Sequence, residues 1–272
     1  SQPLHYLEFE LAFYLGAIKL MNTLQKKGVD FCKPRILPLD ERTININALV
    51  NVNLSLREKS GWVASDVAFD ESGRVAILTG PNSGGKTTYL QAVGLAQAMF
   101  QAGLFIPAAD AQMSPVDNIL THFPALETRQ QGRLAEEAER LRKLFQQMTQ
   151  YSVVLLNETF SSTSSGEANY LAQDMLCGLR AIGTRAIFAT HLVELADHLD
   201  EMQAIVDGPS NLYSLVAGVR LDENGETVRT FEIKRGMPLG RSYAKEIAER
   251  HGISLSQILS NRENEATQNN TH

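Results

Sequence analysis

Apolar residues recur along residues 4–28 at Leu4, Leu7, Leu11, Tyr14, Leu15, Ile18, Met21 and Leu24, mostly three and four apart. That spacing predicts one amphipathic helix, closed by the basic last turn and glycine of Lys26-Lys27-Gly28. Pro34 and Pro38 then break the chain. Weak alternation over 43–56 (Ile44, Ile46, Leu49, Val52, Leu54) predicts an edge strand, and Trp62 to Phe69 a further extended segment. Val75–Thr79 reads as a short buried strand, and the stripe over 87–102 as a long helix stopped by Gly103. Phe105-Ile106-Pro107 and Val116–Leu120 are short strand candidates.

Residues 133–149 form a charged helix, with Glu136, Glu137, Glu139, Arg140, Arg142 and Lys143 on its wet side. Ser152–Leu156 is a buried strand, 166–182 a helix, Thr184–Thr190 a strand, 192–199 a helix and Met202–Val206 a strand. This alternation argues for a mostly parallel sheet covered on both faces by helices. Leu212–Val219 and Thr227–Ile233 alternate around Asp222-Glu223-Asn224-Gly225, which predicts a hairpin. Two short helical patterns, 242–251 and 254–261, precede a polar, frayed end from Glu263.

The chemistry concentrates where the 75–79 strand meets the next helix. Gly80-Pro81-Asn82-Ser83-Gly84-Gly85-Lys86-Thr87 fits the phosphate-loop spacing of two glycines with four residues between them, then lysine and a hydroxyl. Glycines let the backbone curl so that its N–H groups form an anion nest, and the helix adds the positive end of its dipole. Lys86 reaches β- and γ-phosphates, Thr87 offers a hydroxyl to Mg²⁺, and Thr88 counts with the loop as nucleotide-binding. A nucleoside triphosphate site follows. Two strand ends supply candidates for its other half. The apolar run Val153–Leu156 stops at Asn157-Glu158, an amide where a metal's water shell would lie and a carboxylate able to orient or deprotonate water. Ala186–Ala189 stops at Thr190-His191, whose imidazole could contact the γ-phosphate.

Composition narrows the setting. The 272 residues hold one large or two small domains, and 43% hydrophobic with 21% charged residues is ordinary for a globular chain. A formal charge of −6 gives no general electrostatic support for holding nucleic acid. Cys32 and Cys177 lie far apart without metal-ligand spacing, as in a reduced cytoplasmic protein. No apolar run approaches the ~20 residues of a membrane span, and no signal peptide is visible. The start at Ser1-Gln2, without an initiator Met, suggests a piece of a longer protein, and removal of a tag would look similar.

Taken together, these residues resemble the ATPase region of the MutS family of DNA mismatch-repair proteins, an ABC-type P-loop ATPase fold. The similar segments are Thr79 to Tyr89, Gly103 to Ala108, Asn157 to Ser164, Phe188 to Leu195, and Gly236 to Ile247 with Ser242-Tyr243-Ala244. The resemblance spans about Arg42 to Leu259, with 4–28 similar to the end of the family's long helical core. It implies residues 1–38 as the end of that core, 39–235 as the ATPase domain, 236–262 as a C-terminal dimerisation element and 263–272 as a disordered tail. It also implies ATP and Mg²⁺, a homodimer sharing composite sites, DNA contacted through upstream domains, and no membrane. Trp62 falls where the family positions adenine, and Phe231 near a second ring-stacking position. Three departures mark a divergent branch with slow hydrolysis. The family's strand-end Asp is Asn157, its partner-donated Ser-Gly-Arg-Ser is Gln131-Gly132-Arg133-Leu134, and Ser162 stands for the glycine before Thr163-Ser164. The rival readings are a nucleotide-gated dimerisation module with scarce hydrolysis and a small-molecule kinase. The kinase would need a basic lid, and no segment of clustered arginines offers one.

Overall fold

The computed structural model describes residues 2–123, 133–161, 163–221 and 227–238. The expected helices at 242–251 and 254–261, and the Asp222–Gly225 turn, lie outside the described residues. Helix α1 (Gln2–Gln25) ends as its sequence dictates. Val29 N–H bonds to Leu24 O at 3.1 Å and Gly28 N–H to Gln25 O at 2.9 Å, with Gly28 left-handed at φ 87°. That is a Schellman closure, sealed by burial of Leu24 against Val29. Most of the helix's apolar stripe, from Leu7 to Ile18, remains exposed among the described residues.

Strand β1 (Arg35–Ile36) and β2 (Ile44–Leu49) lead to helix α2 (Val52–Arg57), β3 (Ser65–Phe69) and β4 (Val75–Thr79). Helix α3 (Lys86–Gln101) and strands β5 (Asp110–Met113) and β6 (Ile119–His122) follow. Next come α4 (Arg133–Gln147), β7 (Val153–Asn157), α5 (Ser165–Ile182) and β8 (Arg185–Ala189). The short helices α6 (Glu194–Asp197) and α7 (Leu199–Ile205) precede β9 (Leu212–Leu221) and β10 (Thr227–Arg235). Two sheets result, a small one in the order β1-β5-β2-β3 and a larger one in the order β10-β9-β4-β8-β7-β6. In the larger sheet every neighbouring pair is parallel except β9 with β10.

Alternation along the parallel strands divides the core between two faces. Ala76, Leu78, Val153, Leu155, Ile187 and Ala189 point toward α3 and the small sheet. Val75, Ile77, Val154, Leu156, Ala186 and Phe188 point toward α4, α5 and the α6–α7 segment. Covering both faces explains why these strands read as unbroken apolar runs.

Four expectations change. The 43–56 segment is no edge strand: β2 lies between β5 and β3, and Val52–Arg57 is helical, begun by Asn51. Its inner partner β5 was hidden because its polar Asp110 and Gln112 alternate with buried Ala111 and Met113. Phe105-Ile106-Pro107 makes only a single bridge, Ile106 with Cys32. Met202–Val206 is largely helix α7, since Met202 is buried while Ile205 is exposed, a helical rather than an alternating pattern. Glu137 does not sit on the wet side of α4; it turns inward at 15% exposure.

Candidate functional site

The carboxyl ends of β4, β8 and β7 lie side by side: Leu78 registers with Ala189, and Ala189 with Asn157. In an open parallel sheet this edge is where ligands collect. The turn after β4 is shaped by left-handed backbone at Gly80 (φ 137°), Ser83 (φ 58°) and Gly85 (φ 96°). At Gly80 only glycine fits, because a Cβ would lie 2.7 Å from Ala217 Cβ on the neighbouring β9. Gly84 is equally confined, with Pro81 O 2.8 Å from where its Cβ would be. Asn82 and Ser83 are exposed at the rim, and Pro81 is half-buried.

Lys86, 4% exposed, folds back so that its Nζ donates to Gly80 O (2.8 Å) and Pro81 O (3.2 Å). Burial pushes its ammonium below the ordinary lysine range, and the Glu158 carboxylate partly restores it. Among the described residues, the hydrogen bonds of this buried cation go only to neutral carbonyls of its own loop. An anion in the loop would supply the negative partner these carbonyls replace. Thr87 Oγ1 donates to Asn157 Oδ1 at 3.1 Å, so the hydroxyl and the amide meet across 70 residues of sequence. Two side-chain oxygens meeting beside the glycine-rich loop could hold Mg²⁺, which takes oxygen donors and leaves most of its shell to phosphates and water.

Glu158 is half-buried, with its N–H bonded to Ala189 O at 2.7 Å and its backbone left-handed at φ 50°. Thr190 extends the same edge: its N–H bonds to Leu78 O (2.9 Å), and its Oγ1 accepts from Leu192 N–H (3.1 Å). His191 follows directly and is exposed. The strand edge thus gathers Lys86, Thr87, Asn157, Glu158 and the Thr190-His191 pair.

Behind the loop a pocket of about 210 Å³ is lined by Leu49, Val63, Tyr89, Ala92, Phe231 and Ile233, with Thr88 and Gly85 at its edge. A bulge in β10 between Arg229 and Ile233 puts Phe231 in left-handed backbone (φ 59°), with its ring 3.7 Å from where a Cβ on Gly85 would be. Trp62 is placed differently. Its half-buried ring packs on the cluster of Leu24, Val29, Val50 and Val52, while its neighbours Gly61 and Val63 line the pocket.

Sequence reading missed two supports. Asn51 Oδ1 accepts from Leu54 N–H (2.9 Å) to cap α2, and its Nδ2 donates to Thr88 O (2.7 Å), fastening the small helix to the loop's helix. An Asn ahead of Leu54-Ser55-Leu56 was the available cap signal. Glu137 is the second, and nothing in its helix pattern set it apart.

These features define an α/β protein whose glycine-rich loop opens at the carboxyl edge of a parallel sheet. Residues 76–268 match the family model MutS domain V, and the chain belongs to the MutS family, of which this is the ATPase domain. It is 34% identical over 191 residues to the Endonuclease MutS2 of Thermus thermophilus, covering 69% of this chain and 24% of that protein. It is 34% identical over 201 residues to the DNA mismatch repair protein MutS of Thermosipho melanesiensis, covering 72% and 23%. With the same-named protein of Ruminiclostridium cellulolyticum it shares 31% over 235 residues, covering 84% and 26%. The chain spans about a quarter of the length of the curated relatives it matches. Among the described residues, no helix is long and apolar enough to cross a membrane.

Proposed function

We propose that this chain binds MgATP and hydrolyses it slowly, as the motor module of a MutS-like DNA-processing protein. The observation that carries the reading is the meeting of Lys86, the Thr87–Asn157 pair and Glu158 at one strand edge. The loop's N–H groups and the N-terminus of α3 hold the β- and γ-phosphates, and Lys86 exchanges its carbonyl partners for phosphate oxygens. Thr87 Oγ1 and the Asn157 amide oxygen would hold Mg²⁺, which when bound neutralises charge gathering on the phosphate oxygens. Glu158 orients the attacking water. As the water oxygen bonds to the γ-phosphorus, the bond to the bridging oxygen breaks, ADP leaves, and the water's proton passes toward the carboxylate. His191 contacts the γ-phosphate from the exposed rim. Phe231 flanks the base, and Trp62 contributes only through its neighbours Gly61 and Val63, which line the same pocket.

Asn157 sets the pace in this reading. A carboxylate there would add one unit charge; at an effective dielectric near 20 and ~4 Å its loss removes about 4 kcal/mol of gross attraction, largely offset by solvation. The chain works as a homodimer in the cytoplasm, and DNA is met through domains of a longer protein outside this chain. Single-turnover ATP hydrolysis measured at several protein concentrations tests it. Turnover that rises with concentration is expected; none at any concentration refutes hydrolysis.

The neutral Thr87–Asn157 pair favours one second reading, a module that binds ATP and dimerises with scarce hydrolysis. Tight binding with no turnover, and dimerisation on adding ATP, would select it.

A further inference from the structure

Three segments meet at one carboxylate. Glu137 Oε1, on the second turn of α4, lies 3.1 Å from His122 Nε2 at the end of β6 and accepts the Phe160 N–H at 3.1 Å. His122 is 8% exposed, so this contact is held away from water. Phe160 stands two residues beyond Glu158, in the loop that leaves β7. Both Glu158 (φ 50°) and Phe160 (φ 67°) adopt left-handed backbone without being glycine. Such residues persist only where their surroundings over-determine them. Glu158 is fixed on one side by its N–H to Ala189 O. On the other side the fixing group is Glu137, together with burial of the Phe160 ring in the cluster that holds Leu141 and Leu144 of α4.

We propose that Glu137 is a positioning residue for the water-orienting carboxylate Glu158, holding the loop between them by its bond to Phe160 N–H and itself aimed by His122. The inference rests on the hydrolysis reading above. The effect of Glu137 runs through the backbone, by way of the Phe160 N–H. Its loss therefore lowers kcat and leaves ATP affinity, which belongs to the loop of Lys86, close to that of the parent. Glu137→Gln keeps an oxygen that can accept from Phe160 N–H and from a His122 N–H, so it retains most of the rate. Glu137→Leu fills the space without an acceptor.

The test compares the full chain with E137L and E137Q in steady-state ATPase kinetics and in hydrogen exchange at the Phe160 amide. For E137L a fall in kcat of about tenfold or more with KM within about twofold is expected, since small misplacements of catalytic groups carry losses of that size. The Phe160 amide should exchange faster in E137L and near the parental rate in E137Q. Glu137→Ala replaces E137L, with the same expectation, if the leucine variant does not fold. Parental kcat in E137L, a rise in KM matching the fall in kcat, or unchanged Phe160 exchange would overturn the positioning role. Absence of turnover in the parent refutes hydrolysis instead, and the Phe160 exchange rate then decides the tether alone.

Discussion

At the scale of single residues, Lys86 combines burial, a depressed ammonium and, among the described residues, hydrogen bonds only to backbone carbonyls. Lys86→Ala should weaken ATP binding at least tenfold, about 1.4 kcal/mol, by titration calorimetry. An unaltered affinity would remove the lysine from the site. The depressed ammonium has a signed consequence as well. Burial favours its neutral form, and a bound triphosphate favours the charged one. Binding at alkaline pH should therefore take up protons, seen as a heat that depends on the buffer's ionisation enthalpy; proton release would contradict the assignment. At the metal position, Asn157→Asp should tighten the Mg²⁺ dependence of turnover. Glu158→Ala should abolish turnover while sparing binding, and full activity in that variant would free Glu158 of its role. These residues were legible in sequence because each sits in a contiguous run, at a strand end or in the loop. Glu137 was not. Its partners stand 15 and 23 residues away, and only the packing of α4 against the sheet's edge reveals them.

Among the elements, the parallel strands were readable because burial on two faces leaves an unbroken apolar signature. The small sheet was harder. Its interior strand β2 has the alternation of a half-exposed one, and β5 is only four residues long. Periodicity reports how a strand's faces differ, not how many neighbours it has. Helix α2, six residues, is too short to hold itself and depends on Asn51. Asn51→Ala removes both the cap and the bond to Thr88 O, and should cost about 1–2 kcal/mol. Urea denaturation checks this: an unchanged midpoint would show the cap to be idle, and a loss of ATP affinity beyond the stability change would show that α2 also steadies the loop.

For the whole molecule, the family resemblance expects dimerisation through residues 236–262 and a composite site completed by Gln131-Gly132-Arg133, both largely outside the described residues. Sedimentation with Mg²⁺ and a non-hydrolysable ATP analogue should show a dimer at tens of micromolar, the range a modest nucleotide-strengthened contact implies; a monomer there would refute the shared site. The order of strands carries a consequence for how the protein is made. Strand β4 pairs with nothing near it in the chain: its partners are β8, from Arg185, and β9, from Leu212. The loop's glycines press on Ala217 of that last strand. On a ribosome adding ~5–20 residues per second, the loop is synthesised on the order of ten seconds before the strands that shape it emerge. Through that interval the nascent chain has no nucleotide site, so ATP cannot guide the early steps of its folding.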